Sequence, residues 1–224
     1  GWPRSCPIRR IGKPGEPRPA SEYQLALLFM AAEPHGVNPL DYQEEENAIL
    51  RSVQGIGLDL TVEESGALEQ LAAANRRHHP DVMHLSCHGH NQPQPLLCLE
   101  TEEGDMHKVT PEMLRRELGE HQPPLVFLSA CLTAQPNALL SAYTLELIQR
   151  QFPAVLGWGG SVQDSDATRF ASYLYHDLAA ENSLEFALAQ ARQLMLNPPE
   201  RTMQPAQHWH LARLFLGPTG GGAL

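Results

Sequence analysis

Leu125-Val126-Phe127-Leu128-Ser129-Ala130-Cys131-Leu132-Thr133-Ala134 is the stretch on which the fold turns. Pro123-Pro124 introduces an apolar run of strand length, which ends on a cysteine where a polar, turn-prone stretch begins. A short continuous run of this type reads as a strand buried on both faces, the habit of a parallel sheet covered by helices. Reactive groups in such sheets gather at the carboxyl ends of strands. Cys131 lies at one, and is therefore a candidate nucleophile.

A cysteine nucleophile calls for a base at the same edge of the sheet. Asp81-Val82-Met83-His84-Leu85-Ser86-Cys87-His88-Gly89-His90 is the other strand-like run that ends on a histidine. At its end, His88-Gly89, glycine permits a sharp turn and a close backbone approach. If these strands are neighbours, about 4.8 Å apart, His88 and Cys131 come within side-chain reach above the sheet. The residues point to a Cys-His dyad. Taken singly, each has a plainer reading: Cys131 as a small buried hydrophobe and His88 as a hydrogen-bonded turn residue.

With 224 residues and 42% hydrophobic content, the chain can bury one full core, and nothing in it requires two. A formal net charge of −10 argues against direct nucleic-acid binding and against attraction to anionic membranes, since both depend on clustered Lys and Arg. No apolar run approaches the roughly 20 residues of a membrane span, and no secretory signal is visible. Cys6, Cys87, Cys98 and Cys131 are scattered without a C-x-x-C pair. Neither a zinc ribbon nor a disulfide framework is indicated, and reduced thiols in a cytoplasmic protein fit the pattern.

Residues 1–20 carry five prolines and five basic residues against the single acid Glu16. Such a segment is expected to be a flexible Pro/Arg-rich arm or linker. Residues 218–224, with Gly220-Gly221-Gly222, are expected to form a second tether. Two such ends suggest a domain taken from a longer chain. Between them, in residues 21–217, apolar runs at 25–32, 56–62, 81–88, 125–131, 154–160 and 209–216 alternate with helical patterns at 42–53, 65–77, 111–118, 138–151, 167–179 and 184–194. Residues 96–100 and 106–109, joined around Gly104, form a hairpin expected to overhang the edge where His88 sits. The alternation predicts an α/β three-layer sandwich, its mostly parallel central sheet covered by helices on both faces.

The order of these motifs resembles the CHAT family of caspase-like cysteine peptidases, of the clan of caspases, separases and gingipains. The resemblance rests on His84-x-x-x-His88-Gly89 and Leu128-Ser129-Ala130-Cys131. It continues through Leu97-Cys98-Leu99-Glu100 with Gly104, through Gly157 to Asp166 with Phe170 and Tyr175, through Ala187 and Ala191-Arg192, and through Trp209 to Gly217. It thus spans roughly residues 25–217. The general caspase signature fits less well: the residues flanking Ala130-Cys131 differ, and His88 lies 43 residues before Cys131 rather than about 50. Caspase-like acidic specificity is therefore not implied.

The resemblance implies a cysteine endopeptidase that cuts a protein partner through an acyl-enzyme, with the backbone N–H groups of Gly89 and Cys131 as oxyanion hole. It further implies a latent domain of a larger bacterial defence or cell-death protein, joined to a sensor, repeat or ATPase module in the same chain or complex. No cofactor is expected. The alternative, to which Leu132 leans, is a catalytically inactive scaffold or interaction module. Asp164 and Asp166 are pocket candidates that would favour a basic residue before the cut, although Ser165 or Asp166 could equally cap a helix starting at Ala167. His84 shares a strand face with His88, so it is either a further pocket residue or a core histidine. A metal site built on His84, Cys87, His88 and His90 is disfavoured, because residues i and i+4 of a strand lie about 13 Å apart, too far to share one zinc.

Overall fold

The structure, a computed structural model, describes residues 8–16, 24–36, 42–52, 57–90, 94–132, 139–199 and 204–224. The apolar runs form one mixed sheet. Strands β2 (Leu25–Ala31), β3 (Leu58–Glu63), β4 (Val82–His90), β7 (Leu125–Leu132) and β8 (Ala154–Trp158) are parallel. Strand β9 (Ala212–Leu216) runs antiparallel to β8, and β1 (Ile8–Arg10) lies parallel to β9. The order across the sheet is β1-β9-β8-β7-β4-β2-β3. The hairpin β5 (Leu96–Glu100) and β6 (Met106–Val109) joins at β4, where β5 pairs antiparallel with His88–His90 just beyond the end of β2.

Helices cover both faces, because consecutive parallel strands need crossovers and each amphipathic helix needs a sheet face to bury its stripe. Helices α1 (Tyr42–Ser52), α5 (Asp164–Ala179) and α6 (Leu184–Leu196) pack together on one face. Helices α2 (Leu68–His78), α3 (Pro111–Leu118) and α4 (Leu139–Gln149) form the other layer. The α3 start follows from sequence directly: Pro111 stands at the first turn and the Thr110 hydroxyl accepts the Met113 N–H at 3.1 Å. The core is continuous, with Leu28, Met30, Met83, Leu85, Val126, Leu128, Val155 and Leu214 essentially without exposure.

Three expectations are corrected. Ile8–Arg10, in the supposed arm, is an edge strand: Ile11 N–H donates to Leu216 O at 2.8 Å, and Arg10 donates to the carbonyls of Gly217 at 2.9 Å and Gly220 at 3.1 Å. Residues 1–7 and 17–20 of that arm lie outside the described residues. The Gly-rich tail packs back as well: Leu184 N–H donates to Gly222 O at 2.7 Å, and a side chain at Gly220 would collide with the Pro153 carbonyl. Finally, α5 begins three residues earlier than expected, at Asp164, with Gln163 as N-cap and no side-chain cap bond. Asp164 and Asp166 therefore sit inside the first turn, where carboxylates suit the positive end of the helix.

Candidate active site

In a parallel pair of strands, residues in register share a face, and residues two apart on one strand return to it. The β4–β7 register sets His84 beside Phe127, Ser86 beside Ser129, and His88 beside Cys131. These three rows climb one face of the sheet toward its carboxyl edge, beneath α1 and α5. His88 is buried, with 4% of its surface exposed. Gly89 follows at the point where β4 is flanked by Leu132 of β7 and Leu97 of β5. Cys131 is described by its backbone alone, and Thr133 and Ala134 lie outside the described residues.

Two of the sequence-derived pocket residues are committed elsewhere. His84 is fully buried among Phe29, Phe127 and Tyr175, with ring centroids 5.0, 4.6 and 5.8 Å away. Its Nδ1 pairs with the Tyr175 hydroxyl at 3.0 Å and its Nε2 lies 3.3 Å from Glu45 Oε1. It is a core histidine beneath the candidate dyad, bonded to side chains. Asp166, 6% exposed, accepts from Arg169 Nη2 at 2.9 Å and sits 3.1 Å from His208 Nδ1. Its carboxylate is paired inside the fold and ties α5 to the segment before β9. Asp164, two residues earlier, is exposed and lines a shallow cleft with Glu44, Thr168 and Gln204.

The residue that sequence reading missed is Glu45. It stands on α1, yet it is 5% exposed and points into the sheet. Its Oε2 accepts from Ser86 Oγ at 2.9 Å and its Oε1 from Ser129 Oγ at 3.1 Å. Burial pushes this carboxyl up, but His84 together with the bonds from His84, Ser86 and Ser129 more than offsets that, holding it below the ordinary carboxylate value. A signal was present: Glu45 falls four residues before Ile49, the fully buried apolar position of α1, and so lies on its inward stripe.

Residues 9–216 match the CHAT domain family. The chain belongs to that family. This CHAT domain has an α/β architecture, a mostly parallel sheet with helices on both faces. Among solved structures it is similar to the initiator caspase Dronc of Drosophila, at 8% identity over 97% of this chain and 95% of that one, with a TM-score of 0.47. No curated protein matches it. Among the described residues of the CHAT domain, no helix is long and apolar enough to cross a membrane.

Proposed function

We propose that this CHAT domain is a cysteine endopeptidase acting through His88 and Cys131. The observation that carries the reading is the register pairing of positions 88 and 131 at the carboxyl edge of a parallel sheet. The Cys131 thiol gives its proton to His88 as sulfur attacks the scissile carbonyl, forming a tetrahedral oxyanion. Collapse expels the amine, which takes the proton from His88 and leaves a thioester. Water, deprotonated by His88, then hydrolyses that thioester and restores the thiol. Backbone N–H groups of Gly89 and Cys131 serve the oxyanion, a contribution worth on the order of 100-fold in rate per donor.

The substrate is a protein segment, and Asp164 is the remaining candidate to favour a basic residue before the cut. Latency until activation, attachment to sensor, repeat or ATPase modules, and a bacterial defence or cell-death setting are the parts of this reading that rest on family resemblance.

The test follows alkylation of Cys131 by iodoacetamide against pH, with peptide mapping by mass spectrometry, on Cys6→Ser protein with and without His88→Ala. The expected result is reaction at pH 6 that depends on His88, with a midpoint well below the free-thiol value of about 8.5. A Cys131 that titrates like a free thiol in both proteins would overturn the reading and favour a scaffold module.

A further inference from the structure

Glu45 raises a question that the proposed dyad does not answer. A carboxylate held 5% exposed in a sheet-helix interface carries a large desolvation cost, and partners of equal shape but apolar character would serve packing at least as well. The surrounding row is in fact apolar and aromatic, with Phe29 and Phe127 flanking His84. Among the described residues, the other buried carboxylate, Asp166, has a guanidinium partner. Glu45 instead takes two serine hydroxyls and an imidazole.

The placement of those hydroxyls is what matters. Ser86 and Ser129 are paired in register on β4 and β7, and each stands two residues before His88 or Cys131 on its own strand. The pair therefore forms the row directly beneath positions 88 and 131, about 6.6 Å lower along the strands. One carboxylate binds both members, so α1 is fastened to both strands at once. His84 closes the arrangement from the row below, itself held by Tyr175 of α5. Both serine hydroxyls thus turn to one acceptor in the row beneath positions 88 and 131, adding a side-chain tie to the backbone ladder that joins β4 and β7.

We propose that Glu45 is a positioning residue for the dyad, clamping the two strands that carry His88 and Cys131 through Ser86 and Ser129. This rests on the dyad reading above. Thiolate formation and proton transfer both require the imidazole and the sulfur at hydrogen-bond separation, and displacements near 1 Å in such a pair are costly.

The test uses the full chain and the same iodoacetamide probe on Cys131. Wild type is compared with Glu45→Gln and with Ser86→Ala/Ser129→Ala. Glutamine keeps the size of Glu45, but its amide nitrogen cannot accept a second hydroxyl. The expected result is a fall of about tenfold or more in Cys131 reaction at pH 6. The midpoint should also move toward that of His88→Ala, while native circular dichroism is retained. The serine double variant, which leaves Glu45 beside His84, is expected to show the same displacement, and combining it with Glu45→Gln should add little. A role confined to stability would lower the melting temperature and leave the midpoint unmoved, which overturns the proposal while the dyad stands. If Glu45→Gln does not fold, the serine double variant decides by the same criterion. A wild-type Cys131 that titrates as a free thiol overturns the dyad reading first, and this proposal with it.

Discussion

At the scale of single residues, burial decides how Cys87 and Cys98 behave. Cys87 and Cys98 are fully buried free thiols. Burial pushes the Cys87 thiol far up, with Cys98 adding to it, and burial also raises Cys98 against the pull of Lys108. Both are therefore inert as nucleophiles in the folded state, since the thiolate is the reactive form. Native protein treated with iodoacetamide at pH 8 is expected to label Cys87 and Cys98 only at the rate of global unfolding, with both sites reacting promptly once urea is added. Peptide mapping over time checks this, and prompt native labelling of Cys87 would contradict its burial.

At the scale of elements, apolar content made β2, β8 and most of β7 readable, because a strand covered on both faces needs a nearly unbroken apolar run. His88 and Cys131, the proposed dyad, each stand near the carboxyl end of their strand, and the register pairing of these two positions is the part that the structure adds. Strand β1 was not readable, since a three-residue piece of Pro- and Arg-rich chain has no pattern of its own. It exists through tertiary partners, chiefly Arg10 on the carbonyls of Gly217 and Gly220. Glu45 was hidden by its neighbours Glu44 and Glu46, which make the start of α1 look like a solvated face. Arg10→Ala is expected to lower stability by about 1.5–3 kcal/mol, the usual scale for hydrogen bonds to charged groups. Amide exchange should quicken through Ala212–Leu216 and Gly220 while β4 and β7 keep their protection. Uniform protection across both regions would mean that β1 is held by its ladder alone.

At the scale of the whole molecule, the buried carboxyl of Glu45 links the fold to pH. Its folded value lies below its unfolded one, so its stabilising contribution is fully present above the unfolded value and drains away as pH falls through the folded value. Asp81 works in the opposite sense, because burial raises it despite the Ala26 N–H, and protonation there favours the fold. The difference in unfolding free energy between wild type and Glu45→Gln isolates the first effect. It is expected to be widest near neutral pH and to shrink as pH falls through and below the ordinary carboxylate range; urea titrations from neutral to acid pH measure it, and a constant gap would assign the loss to packing alone. The sheet topology carries one more consequence. Strand β8 pairs with β7 only over Val126–Leu128, whereas β4 at His88 and Gly89 is laddered on one side to β7 and on the other to β5. Among the described strands, the histidine post is thus braced from both flanks and the cysteine post from one. Beyond Leu128, β7 is held by its ladder to β4 and by the bond from Ser129 to Glu45 of α1, so that bond is the one tie the cysteine post has outside the sheet's own pairing among the described contacts.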